Sequence, residues 1–138
     1  ASSNDNKYLN LWSINNGRPG IDTPVVKTIY DPCPVGFKIP EGDAFTGFSQ
    51  ENSTWNSDFA EKYFYTDASK TKIIVFKAAG VYEVNPVKLI NIDNIGYYRT
   101  ADFYDTSNPY FLWFGSYKII PQNYTSRYYG NSIRPVRE

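Results

Sequence analysis

Histidine is absent from this sequence, and cysteine occurs once, at Cys33. The first absence removes Ser-His and Cys-His nucleophile pairs and most transition-metal sites together. A lone cysteine cannot close an internal disulfide, so it says little about redox compartment. Charge of one sign is missing too, since fourteen Lys+Arg cancel fourteen Asp+Glu. A neutral chain without a Lys/Arg cluster lacks the footprint of a nucleic-acid binder or of a membrane-surface protein. No apolar run approaches the length of a membrane span. No nucleic-acid partner, no membrane insertion, no metal and no cofactor are therefore expected. The opening Ala1-Ser2-Ser3-Asn4-Asp5-Asn6 carries no basic-then-apolar signal region and reads as a trimmed end.

Aromatic residues are plentiful, at 18% of 138 residues. A chain that stays disordered carries few of them, and this length suits one core. The expectation is a single domain over 1–138, with 1–24 as an N-terminal lead-in and 95–138 as a recognition segment. It would be the C-terminal part of a longer protein.

Along the chain, Lys7–Trp12 has the apolar content of a short extended piece, and Asn15–Gly20 is a turn cluster. Val25–Tyr30, β-branched and bounded by Pro24 and Pro32, is the best early strand. Three prolines between Asp31 and Pro40 forbid a helix interior there. Ala44–Phe48 fits a short helix, with Phe37, Phe45 and Phe48 as core. Gln50–Asp58 is a polar loop holding Trp55. Lys62–Thr66 and Lys72–Phe76 make a strand pair across Asp67–Lys70. The small residues of Ala78–Tyr82 imply close backbone approach, and Pro86 ends that run. The fold class expected is α+β, strand-dominated, with one or two short helices and long loops.

The densest signal lies between Ile95 and Glu138. Eight of the thirteen tyrosines fall between Tyr97 and Tyr129, interleaved with Asn, Ser, Thr and Asp, and the segment's only lysine is Lys118. Tyrosine gives wide, stiff, amphipathic contact area, while Asn and Ser give adaptable hydrogen bonds, the mixture that binding loops use. Tyr97, Phe111 and Phe114 are expected in the core. Tyr98, Tyr110, Leu112 and Trp113 fall on or near the opposite phase. Tyr104, Asp105, Asn108, Tyr117, Asn123, Tyr124, Tyr128 and Tyr129 sit in loop-like sequence and are expected outside. Arg134 and Arg137 are expected to pair or cover a sheet edge, and Cys33 to be a small buried hydrophobe.

Two stretches carry a resemblance. Asp31-Pro32-Cys33-Pro34-Val35-Gly36-Phe37-Lys38-Ile39-Pro40 opens it. Gly96-Tyr97-Tyr98, Tyr110–Phe114, Pro121, Arg127, Gly130 and Ile133-Arg134-Pro135-Val136-Arg137 close it. Together they resemble the Fibrobacter-succinogenes-type major paralogous domain, a family similar to the C-type-lectin-like fold, over roughly Val25–Glu138. Arg99 and Asn131 depart from the pattern, standing where the family usually has Trp and Phe. The resemblance implies a non-catalytic domain binding a protein or glycan receptor. Its setting would be a fimbrillin-like surface or pilus-tip adhesin, or a phage receptor-binding protein, so extracellular, cell-surface or on a virion. Some similar domains are variable proteins of diversity-generating retroelements, which rewrite template adenines and turn Asn codons into Tyr, Ser, Asp, Thr or Ile. Arg99 and Asn131 are reachable from such codons. The ligand-binding residues expected are Tyr98, Arg99, Asp102, Tyr104, Asp105, Asn108, Tyr110, Trp113, Tyr117, Asn123, Tyr124, Tyr128, Tyr129 and Asn131. The alternative is an assembly module using the same aromatics for subunit contacts, with a homo-oligomer formed through the parent protein.

Catalysis is not expected. Asp93, Asp102 and Asp105 would supply the two acids of a glycosidase, but nothing in the sequence sets them across a cleft, and Asp in polar loops is turn chemistry. A calcium-dependent lectin needs converging oxygen ligands. Val84-Asn85-Pro86 and Trp55-Asn56-Ser57 imitate its motifs poorly, and the cysteines of formylglycine-generating enzymes, similar in fold, are missing.

Overall fold

The computed structural model describes residues 11–15 and 24–138. Among them stand ten strands and no helix, so the class is all-β and the α+β expectation is corrected. The strands are β1 (Phe37–Lys38), β2 (Ser53–Asn56), β3 (Glu61–Tyr65), β4 (Ile73–Lys77) and β5 (Val81–Val84), followed by β6 (Val87–Ile90), β7 (Gly96–Phe103), β8 (Pro109–Phe114), β9 (Ile119–Tyr124) and β10 (Val136–Arg137).

The helix expected at Ala44–Phe48 is a run of turns. The N–H groups of Ala44, Thr46 and Phe48 donate to the carbonyls of Glu41, Asp43 and Phe45 at 3.1, 3.2 and 3.0 Å. Each bond reaches three residues back, whereas an α-helix needs a continuous four-back ladder. Gly42 precedes the segment and Gly47 lies within it, and so short a nucleus with poor helix formers cannot offset its ordering cost. Val25–Tyr30 is no strand either: it pairs through one isolated bridge, Ser13 to Lys27. Side chains claim its backbone instead. Val25 and Val26 N–H donate to Glu41 Oε1 at 3.3 Å and Ser13 Oγ at 3.0 Å, and Val25 O accepts from Lys38 Nζ at 2.9 Å. Conversely, the polar stretch Gln50–Asp58 contains β2, with Trp55 packed against the core. Residues 7–10 and 16–20 of the two earliest expected segments lie outside the described residues.

Two antiparallel sheets sandwich the main core. β2-β3-β4 is one, closed by the expected turn, where the Asp67 carboxylate accepts from Thr71 and Lys72 N–H. β7-β8-β9 is the other. Phe64 and Phe76 from the first meet Tyr98, Leu112 and Phe114 from the second, with Phe45 alongside. The rings meet edge-on, Phe64 to Phe114 at 5.9 Å and 85°, Phe76 to Tyr98 at 4.8 Å and 80°, as aromatic quadrupoles favour. Gly96 lies under Phe114, where a Cβ would come within 2.1 Å of the ring. Lys62 is fully buried at the end of this layer. Its ammonium donates to Gln50 Oε1 at 2.7 Å and to the Gly115 and Ser116 carbonyls at 3.1 Å each, and burial lowers its pKa.

The proline-rich segment is a structural clasp. Asp31 accepts from the N–H groups of both Cys33 and Ile39, while Lys27 Nζ donates to the carbonyls of Cys33, Pro34 and Phe37. Beneath it Val25, Cys33, Ile39 and Ala101 form a second cluster. Cys33 is buried as expected, and burial, reinforced by Asp31, pushes its thiol up to about 12. Phe37 is not core; it is 41% exposed, because β1 pairs only with β10. That pairing brings the two resembling end signatures side by side.

β5 and β6 form a hairpin joined through Asn85-Pro86. Gly80 enters it at φ +73°, where a Cβ would lie 2.2 Å from Ile90 O, the close approach expected of Ala78–Tyr82.

Candidate functional site

Successive side chains of a strand point to opposite faces. Tyr97 of β7 lies opposite Trp113 of β8, Arg99 opposite Phe111, and Phe111 opposite Asn123 of β9. Since Tyr98, Leu112 and Phe114 enter the core, Tyr97, Arg99, Phe111, Trp113 and Asn123 share the other face. There they would be an open sheet surface but for a wall on one side. The hairpin β5–β6 supplies that wall and is stitched on by the segment 130–132. Tyr82 and Gly130 exchange N–H···O bonds of 3.0 Å, while Ser132 N donates to Tyr97 O and Arg99 N to Ser132 O, both at 2.9 Å.

The result is a groove of about 270 Å³. Tyr97, Phe111 and Trp113 floor it, and Val81, Glu83 and Ile90 wall it. Asn123, Tyr124, Thr125 and Tyr129 line the other side. Tyr97 stacks on Phe111 at 5.8 Å, and its hydroxyl accepts from Asn91 Nδ2 at 2.8 Å. An apolar floor with a few convergent polar groups is how ligand sites are commonly built.

At the groove's Tyr124 end the aromatics continue outward. Tyr124 stacks on Tyr104 with centroids 4.0 Å apart and planes 10° apart, and both meet Tyr110 edge-on. Burial, with Tyr104 and Tyr124 nearby, raises the Tyr110 pKa. The loop after β7 is rigid: Asp105 accepts from Ser107 N, Asn108 N and Asn108 Nδ2, which holds its pKa low. Arg127 N donates to Ser107 O at 2.9 Å and its guanidinium to Thr106 O, tying the strap 125–130 to this loop.

Arg99 is the least ordinary group on this face. Its guanidinium lies 4.6 Å from the Trp12 ring and 5.5 Å from Phe103, and Arg127 lies 5.5 Å from the same Phe103 ring. Neither arginine has a carboxylate partner among the described residues. Burial, with Arg127 adding repulsion, lowers the Arg99 pKa to about 10. Among the described residues, two buried side-chain atoms have no hydrogen-bond partner, Arg99 Nε and Asn131 Oδ1.

Of the expected binding residues, Trp113, Asn123, Tyr124 and Tyr129 come together in the groove, Tyr104 and Tyr110 adjoin it, and Arg99 stands beside Phe111. Asp105 and Asn108 hold the neighbouring turn. Tyr128 is 71% exposed on the strap. Others fall elsewhere. Tyr98, expected outside with Leu112, is buried, and its hydroxyl donates to Lys77 O at 2.9 Å; burial raises its pKa. Asp102 is buried, with Oδ2 accepting from Gly42 N at 2.7 Å. Tyr117 is exposed on the β8–β9 turn, at the opposite end of β9 from Tyr124, about 16 Å of strand away. Asn123 and Tyr124 belong to a strand, not a loop. Asp93 pairs with Lys77 at 3.1 Å, so the three aspartates take separate structural places. Arg134 covers the β4 edge through Val75 O, as expected.

The groove residues that sequence reasoning missed are Tyr97, placed in the core but half-buried here, together with Thr125 and the hairpin trio Val81, Glu83 and Ile90. Phe111 is buried as expected, at 2% exposure, but on the opposite sheet face from Phe114, since residues three apart cannot share a strand face. Compared with family models, with curated proteins and with solved structures, the chain finds no match.

Proposed function

We propose that this chain is a non-catalytic recognition domain that binds a protein or glycan receptor in the groove over the outer face of β7-β8-β9. One observation carries the reading: a groove leaves Tyr97, Trp113, Tyr124 and Tyr129 partly exposed beside polar groups while the opposite face of the same strands is packed. Tyr104 is 49% and Tyr124 46% exposed although they stack on each other. Aromatic anchors held in place by neighbours lose little entropy on binding, which is why they dominate recognition surfaces. The resemblance supports the setting, a surface or pilus-tip adhesin or a phage receptor-binding protein. It also supports a diversified segment: Arg99 and Asn131, the two departures from the family pattern, carry the two unsatisfied buried side-chain atoms found among the described residues. A second near-identical copy of the segment beside a reverse transcriptase gene is the signature to seek, and a locus with neither ends that part.

The test is a screen of immobilised glycans and surface proteins, followed by Trp113→Ala and Tyr124→Ala against the partner found. Both variants are expected to fold and to lose affinity. Parent-like binding by both overturns the groove assignment. The assembly alternative draws on one feature, the exposed apolar hairpin with Tyr82, Val84, Val87 and Leu89 outside. Sedimentation separates the readings, since a tight oligomer burying that hairpin favours assembly.

A further inference from the structure

We infer that Arg99 and Arg127 form an anion site at the edge of the groove, which takes the carboxylate of an acidic saccharide whose ring lies on the Tyr97–Phe111–Trp113 floor. The inference rests on the recognition reading for the groove and adds the chemical class of its ligand.

Two guanidinium groups gathered on one phenylalanine ring repel each other, and in a partly dry site that repulsion is weakly screened. Folded proteins offset such pairs with carboxylates, yet the four ion pairs among the described residues use neither Arg99 nor Arg127. The rings of Trp12 and Phe103 both lie against the Arg99 guanidinium, at 4.6 and 5.5 Å. Its Nε is buried with an unused proton. A planar guanidinium with an unpartnered Nε–H matches the geometry of a carboxylate. A bound anion would remove the repulsion and satisfy the orphan donor in one step.

Position links this site to the groove. Arg99 shares a face with Tyr97, two residues along β7, and lies directly opposite Phe111 of the floor. Arg127 belongs to the strap whose Thr125 and Tyr129 line the groove. The groove's own carboxylate, Glu83, faces Lys88 at 3.6 Å, so it does not oppose an incoming anion alone. Asn123, Thr125 and Glu83 supply an amide, a hydroxyl and a carboxylate, partners suited to the hydroxyls of a sugar ring, while half-buried Tyr97 and Trp113 offer aromatic surface above the buried Phe111. A peptide chain end would use the arginines and leave those ring-facing polar groups idle.

The experiment is an NMR titration of the whole chain with D-glucuronate, D-glucose and N-acetylglycine, following the Arg99 Nε–H and Trp113 Nε1–H resonances. Glucuronate is expected to move both signals and to bind at least about ten-fold more tightly than glucose. Arg127→Gln and Arg99→Gln are each expected to erase that advantage, bringing glucuronate affinity down to that of glucose. Should Arg99→Gln misfold, Arg127→Gln alone carries the comparison. Equal binding of glucuronate and glucose, with Trp113 shifting in both, overturns the anion site and leaves the groove reading standing. Movement of Arg99 with no response at Trp113 supports the anion site and overturns the groove as its ligand's seat. N-acetylglycine binding as tightly as glucuronate overturns the saccharide assignment, and silence from all three overturns the whole.

Discussion

Asp31 and Ile39 stand eight residues apart and are joined by one carboxylate: Asp31 Oδ2 accepts from Ile39 N at 3.0 Å while Oδ1 accepts from Cys33 N at 2.7 Å. Both N–H groups are in the dry interior under the prolines. Asp31→Ala strands them together and is expected to cost about 3 kcal/mol, since each buried orphan costs about 1–3. Asp31→Asn keeps one acceptor and should lose distinctly less. Urea denaturation measures both, and an alanine variant within 1 kcal/mol of the parent, by the same scale, contradicts the clasp.

The groove assignment distinguishes among exposed tyrosines. Tyr104→Ala, Trp113→Ala and Tyr128→Ala are expected to fold, with at least one weakening receptor binding by about 2 kcal/mol or more. Tyr117→Ala is the control: 78% exposed, yet on the far turn, it should bind like the parent. Calorimetry of the four variants decides, and a loss confined to Tyr117→Ala would move the site to that turn.

Gly96 separates the sheet from the ring it supports. Gly96→Ala puts a methyl within 2.1 Å of Phe114 Cζ, so the ring must leave its place in the core. Overpacking of this kind costs about 1–3 kcal/mol. Gly80→Ala adds a left-handed φ to a 2.2 Å clash with Ile90 O, which is backbone and cannot rotate away. It is expected to lower the melting temperature further than Gly96→Ala and to loosen the hairpin wall. A Gly80→Ala melting temperature matching the parent refutes this.

Asp67 should make its turn acid-sensitive. Hydrogen bonds from Ser69 and Thr71, with those from the backbone, hold its pKa at about 2, below the ordinary 3.8. A carboxylate whose pKa is lowered by folding stabilises the fold fully above pH 3.8, and that contribution disappears as pH falls to about 2. Asp67→Asn should therefore show a shallower fall of unfolding free energy across that window. Glu41 and Asp105, also held low, titrate in both proteins, so the difference between the two curves isolates Asp67. Parallel curves would remove Asp67 from the account.

Strand content and the β3–β4 hairpin were legible because β-branched runs and a turn aspartate act locally. The early strand misled for a local reason as well: Val25 and Val26 have strand composition, but Glu41 and Ser13 claim their N–H groups, and those partners are distant or unremarkable in sequence. The helix at Ala44 failed because a fitting composition does not supply a nucleus. In the site, chemistry was legible and phase was not. Tyr97-Tyr98 and Tyr110–Phe114 contain no polar alternation, so which half faces inward depends on the opposing sheet, through Phe64 and Phe76. The hairpin wall was illegible for a simpler reason: nothing in Val81–Ile90 tells that it will be stitched to Gly130, far along the chain.

The alternation along β7 and β8 divides labour between neighbours in the chain. Residues at one parity hold the two sheets together, and Tyr97 and Trp113 at the other line the groove. On the proposed recognition reading, an exchange at Tyr97 or Trp113 would alter what is greeted without dislodging Tyr98, Leu112 or Phe114, leaving the domain room to change its clientele while keeping its architecture.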